Sequence, residues 1–166
     1  MALDSIQTFI SELTRKPIQF RNRLDGLQIK TLTWWVSAFQ GLKNYPFLWD
    51  LFQKACVGII FGLPKTSEDA QWRSDKWMFL ALRDSGFSAQ QMLRGIVHEL
   101  GHAYEEQLFP DGSIDKPFGE PPQTTNYAST NTGEDFAESF MLYWLEPDLL
   151  QQIAPSKFAF FEDHLR

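Results

Sequence analysis

The stretch Ile96-Val97-His98-Glu99-Leu100-Gly101-His102-Ala103-Tyr104 constrains this chain more than any other. Leu93, Ile96, Val97, Leu100 and Tyr104 recur at i, i+3, i+4, i+7 and i+11, the period of a helix with one face on a core. His98 and His102 stand four residues apart, so they share a helix face, and that face lies off the apolar stripe. Two of the chain's three histidines are therefore presented together beside a packed surface. Gly95 and Gly101 interrupt the same helix, each at a cost of about 1 kcal/mol relative to alanine. Something is expected to approach the helix closely near the histidines.

Around this helix the pattern alternates between helical periods and short strands. Asp4 is placed to cap a helix running to about Lys16, and Thr33 to cap "LTWWVSAFQGLK". Pro46 opens "PFLWDLFQKA". Trp34, Trp35 and Trp49 are expected in the core. "CVGIIFG" and "KWMFLALR" read as strands, the second bounded by Asp75 and by Asp84-Ser85-Gly86. Ser88 caps the histidine helix, which reaches about Gln107. A loop rich in proline and glycine follows, from Phe109 to about Asn131; its length is typical of functional loops. Thr132 and Asp135 have capping-box spacing and start a helix that runs to Leu145, before Pro147. A short helix and "SKFAFFEDHLR" complete the pattern.

Composition narrows the classes. At 43% hydrophobic and 15% aromatic residues the chain is not disordered, and 166 residues suit one domain. A net charge of -6 argues against a nucleic-acid partner. The single cysteine, Cys56, excludes an internal disulfide and is expected as apolar core filler. No membrane partner is expected, since no apolar run is long enough to span a bilayer. With no leader pattern at the start, the default location is cytoplasmic, with export by a non-classical route left open. Nothing in the pattern specifies an oligomeric state.

The spacing of His98 and His102 is the one a tetrahedral zinc ion needs from a single helix. Glu99 is rotated by about 100° from His98 and can flank a metal without binding it, holding and deprotonating a water. The longer metzincin pattern would require glycine at 105 and histidine at 108, where the chain has Glu105 and Leu108. His164, in a charged terminal helix, is expected at the surface. A carboxylate is the better third ligand. Glu134 and Glu138 stand four apart on a row that continues through Met141, Leu142 and Leu145, and buried carboxylates need a pair or a metal. Glu134 is assigned as that ligand and Glu138 as acceptor for an imidazole N–H. Asp135 or Glu138 as the ligand, and an acidic first turn exposed to solvent, stay open at this point. Asp111 and Asp115 in "PDGSID" suit a turn better than a calcium loop.

His98-Glu99-Leu100-Gly101-His102 followed by Glu134-Asp135-Phe136-Ala137-Glu138 resembles the gluzincin class of zinc metallopeptidases. Within it, the anthrax lethal factor-like family, which includes small bacterial Pro-Pro endopeptidases, shares a tyrosine seven residues before the ligand glutamate. Tyr127 stands at that separation from Glu134. The resemblance covers Trp77 to about Trp144, with a shorter connection between the two helices than in larger members. It implies Zn2+ held by His98, His102 and Glu134, with Glu99 as general base and Tyr127 as an oxyanion-stabilising hydroxyl. The implied activity is zinc metalloendopeptidase, acting on a peptide or protein substrate. Such enzymes bind an extended peptide along an edge strand, and "KWMFLALR" is the expected edge, with an internal strand as the alternative. Two other functions compete: a non-catalytic protein-binding module of zincin shape, and a metallohydrolase acting on a non-peptide amide. Peptide deformylases use the same histidine motif with a cysteine ligand, but Cys56 is not in such a motif.

The expected fold is α+β, a minimal zincin-like domain, mostly helical with a small mixed β-sheet. It is expected as a single domain over residues 1–166, with N-terminal helices to about 56, a catalytic core over about 57–146 and C-terminal helices beyond.

Overall fold

A computed structural model describes residues 3–21, 25–64, 69–82, 88–114 and 116–165. Along the chain these form α1 (Leu3–Thr14), β1 (Ile18–Phe20), α2 (Gly26–Leu42), α3 (Pro46–Ala55), β2 (Gly58–Gly62), β3 (Ala70–Trp72), β4 (Trp77–Ala81), α4 (Ala89–Leu108), α5 (Thr132–Leu145), α6 (Pro147–Ile153) and α7 (Pro155–His164). The fold is α+β, mostly helical with a small mixed sheet, as the pattern predicts. The chain forms two compact units, Met1–Ile96 and Val97–Arg166, and α4 runs through the boundary. Among the described residues no helix is long and apolar enough to cross a membrane.

In the first unit the strand order is β1-β2-β4-β3. β1 and β4 pair parallel to β2, and β3 pairs antiparallel to β4. "KWMFLALR" was expected at an edge; its strand β4 is internal, bonded on both sides. The reason is burial on both faces: Met78, Phe79, Leu80 and Ala81 are all buried, and an uninterrupted apolar run belongs inside a sheet. The edges are β1 and β3, Ile-Gln-Phe and Ala-Gln-Trp, too short and polar to separate from loops by pattern. Gln7 covers part of the β1 edge by donating Nε2–H to the Ile18 carbonyl at 2.9 Å. Gly58 faces Trp77 across the β2–β4 pair, and a Cβ there would lie 2.5 Å from the indole ring. A side chain at 58 would force the indole to move.

The helices of this unit differ from expectation at their starts. α1 already contains Leu3, which puts Asp4 inside the helix. α2 starts at Gly26, seven residues before Thr33, because Asp25 and Gln28 cap it reciprocally. The Gln28 N–H donates to Asp25 Oδ1 at 2.9 Å, and the Asp25 N–H to Gln28 Oε1 at 3.0 Å. Thr33 instead donates to the Lys30 carbonyl within the helix. Trp35 is fully buried and donates its indole N–H to the Ala81 carbonyl. Its neighbour Trp34, turned away by one helical step, is 40% exposed, contrary to its expected core position, and Trp49 is half-buried. Cys56 is buried, as expected, and burial pushes its thiol up to about 11. Ser88 and Gln91 form the predicted cap of α4, the Gln91 N–H reaching Ser88 Oγ and the Ser88 N–H reaching Gln91 Oε1. The stretch Asp84-Ser85-Gly86 lies outside the described residues.

The second unit is held by aromatic packing. Phe136 and Phe140 of α5 and Phe161 of α7 are fully buried, and the Phe118 ring lies 4.7 Å from that of Phe136. These large rings remove much apolar surface from water, which is the main stabilising term here. One buried charge pair joins them. Lys157 and Asp135 are both at 0% exposure, with Lys157 Nζ 2.7 Å from each carboxylate oxygen. The lysine also donates to the Pro122 carbonyl, and Asp135 Oδ2 accepts the Gly119 N–H at 2.8 Å. The pair thereby ties the proline-rich loop to α5 and α7.

Candidate metal centre

The site lies wholly in the second unit, between the Val97–Leu108 part of α4 and the first turns of α5. The two helices approach at Gly101 and Ala137. A Cβ on Gly101 would come 2.8 Å from the Ala137 Cα, so a side chain there would push the helices apart. The expected close approach is thus real at Gly101. It is not required at Gly95, where a Cβ would make only ordinary contact, 3.6 Å from Ala70.

Helix periodicity around that crossing brings the functional groups together. His98 Nε2 lies 3.1 Å from Glu134 Oε2, and His102 Nε2 lies 3.4 Å from the same oxygen. One ligand atom from each of the three residues lies within 4.8 Å of the others. Glu134 is fixed in the first turn of α5, where its N–H donates to Asn131 Oδ1 at 3.0 Å. The cap is therefore Asn131 rather than Thr132, which is the first helical residue. Both imidazoles are also held from behind. His98 Nδ1 lies 2.9 Å from Glu138 Oε1, and His102 Nδ1 lies 3.3 Å from Glu105 Oε2. The tautomer that donates Nδ1–H to these carboxylates would present each Nε2 lone pair toward Glu134.

Glu134 Oε2 is the telling atom. It is buried and accepts no well-formed hydrogen bond, although two imidazole nitrogens lie within 3.4 Å. Buried oxygens of this kind are satisfied by a donor or by a cation. Two nitrogen lone pairs and one carboxylate oxygen facing a common point suit a divalent metal. Without one, protons take its place. Burial opposes charge on both imidazoles, but the carboxylates of Glu134 and Glu138 prevail and raise His98 to about 9. At His102 burial is likewise outweighed, by Glu105 and then Glu134, raising it to about 10. Burial would raise the Glu134 carboxyl, but the neighbouring imidazoles of His102 and His98 prevail and hold it well below the usual carboxylate range. The negative field that binds these protons also favours a metal cation.

Glu99 is buried at 6% exposure, and its charge acts on both imidazoles. The Tyr127 ring centroid lies 5.8 Å from that of His98, and the residue is 43% exposed at the end of the long loop. Asp135, left open as a ligand, is turned away and engaged with Lys157 and Gly119. Glu138, the other alternative, sits behind His98 on the Nδ1 side. The exposed acidic turn does not form, since Glu134 is largely buried and Asp135 fully so. His164 is exposed, as expected, with Nδ1 2.7 Å from the Phe160 carbonyl. Asp111 makes a local turn by accepting from the Ser113 N–H and hydroxyl, and Asp115 lies outside the described residues.

Two residues of the second unit escaped the sequence reading. Glu105 had a signal in its i+3 spacing from His102. Lys157 had a weaker one, a lone charge among phenylalanines in "SKFAFF", and its partner Asp135 is far away in sequence. No protein-family model matches the chain, and no curated protein matches it.

Proposed function

We propose that this protein is a zinc metalloendopeptidase of the gluzincin type, similar to the anthrax lethal factor-like family. The observation that carries the reading is the convergence of His98 Nε2, His102 Nε2 and Glu134 Oε2 beside the buried Glu99. Two imidazoles and one carboxylate suit zinc better than calcium or magnesium, which favour all-oxygen sites. Three protein ligands match a catalytic site, which keeps a position for substrate, rather than a closed structural one. Zinc held there would polarise both a water and the scissile carbonyl.

The chain's own residues do the rest. The Glu99 carboxylate accepts a proton from the attacking water and passes it to the leaving amine nitrogen as the C–N bond breaks. The Tyr127 hydroxyl donates to the oxygen that gains negative charge, an interaction often worth about 3 kcal/mol in such sites. Glu138 and Glu105 keep the imidazoles oriented. A buried base beside the cluster favours catalysis over a purely binding role.

The test is Glu99→Gln. Zinc content should be unchanged while cleavage of a peptide library falls at least about a hundredfold, the usual worth of a general base. Unchanged cleavage would overturn the assignment.

A further inference from the structure

The two imidazoles of the cluster are supported in different ways. His98 is held across the helix interface by Glu138 of α5. His102 is held from within its own helix by Glu105, one turn further on. The Glu105 carboxylate has a seat made for it. It packs against Gly133 in the first turn of α5, where a Cβ would lie 3.2 Å from Oε2 and 3.5 Å from Oε1. A side chain at 133 would press on the carboxylate and shift it by a few tenths of an ångström. The seat also places the negative charge beside a helix N-terminus, which favours it. Glu105 is mostly shielded, with 18% of its side chain accessible, whereas the next residue, Glu106, is exposed.

We infer that Glu105 is a positioning residue for the metal site: it accepts the His102 Nδ1–H, and so fixes the tautomer and ring orientation that present Nε2 to the metal. This rests on the metal-binding reading above. A neutral imidazole carries one N–H, so a carboxylate on Nδ1 leaves the lone pair on Nε2. Loss of such a partner typically weakens metal binding about 10–100-fold. Glu105 touches neither substrate nor metal in this assignment and acts only through His102.

Zinc affinity of Glu105→Ala, Glu105→Gln and Glu106→Gln, measured by competition with a chelating dye, tests the inference. Glu105→Ala should bind one zinc about 10–100-fold more weakly. Glu105→Gln, whose amide oxygen can still accept, should recover part of the loss, and Glu106→Gln should match the parent. In the zinc-loaded protein, the His102 Nδ1–H proton resonance should move in Glu105→Ala while that of His98 stays in place. Parent-like affinity in Glu105→Ala, or an unmoved His102 resonance, would overturn the inference while leaving the metal site intact. A parent that binds zinc no better than His102→Ala would overturn the metal reading itself, and this inference with it.

Discussion

Replacing Lys157 with methionine should destabilise the protein by about 3–5 kcal/mol, the usual cost of stranding one member of a buried ion pair. The magnitude follows from what Asp135 would keep. Its carboxylate is at 0% exposure and is bonded by Lys157 Nζ at 2.7 Å through both oxygens. After the substitution, the bond from the Gly119 N–H at 2.8 Å remains. Charge-assisted bonds contribute about 1.5–3 kcal/mol each, so losing the lysine's contacts accounts for the expected total. The Pro122 carbonyl loses its donor as well. Methionine keeps the apolar stem, so the packing among Phe136, Phe140 and Phe161 should change little. In urea denaturation, a slope of about 2 kcal/mol per molar would turn the loss into a midpoint lower by about 1.5–2.5 M. Asp135→Asn combined with Lys157→Met should cost less than the two single changes added, because the stranded charge is gone. A loss below about 1 kcal/mol in Lys157→Met, the size of an exposed pair, would refute the burial argument.

Gly101→Ala places a Cβ 2.8 Å from the Ala137 Cα, so it should cost about 1–3 kcal/mol by overpacking and weaken zinc binding by separating α4 from α5; parent-like melting and affinity would refute the crossing geometry. The metal-free protein should lose stability in alkaline solution. His98 and His102 are raised from 6.5 to about 9 and about 10, so their contribution is complete below pH 6.5 and is lost as pH rises through those values. Glu134 is lowered from 4.5, so its contribution is complete above that value and is lost in acid as pH falls. Melting temperatures of chelator-treated protein from about pH 5 to about pH 10 should therefore fall at the alkaline end, and a flat profile would refute the pairing.

The histidine helix was legible because its information is local. The i, i+4 histidines, the flanking Glu99, the apolar stripe and the Ser88 cap all follow from the 3.6-residue period, which the backbone imposes before any tertiary contact. The mostly helical α+β class came from the same periodicity. The Asp25–Gln28 and Asn131 caps were just as local, and were misplaced because neighbouring Thr33 and Thr132 offered plausible hydroxyls. Which carboxylate would meet the histidines was different. Glu134, Asp135 and Glu138 are alike in composition and only a few residues apart. Rotation about α5, set by the Gly101–Ala137 approach, sends Glu134 to both Nε2 atoms, Glu138 to the far side of His98 and Asp135 to Lys157. The place of β4 inside the sheet was likewise a tertiary outcome, since a strand is an edge only by what pairs beside it, and β3 was too short to announce itself. Sequence alone determined that two histidines share one helix face, with Glu99 at its flank. Only the packing of α4 on α5 decided which oxygen completes them, because side chains nearly identical in chemistry are distinguished by the direction their helix turns them.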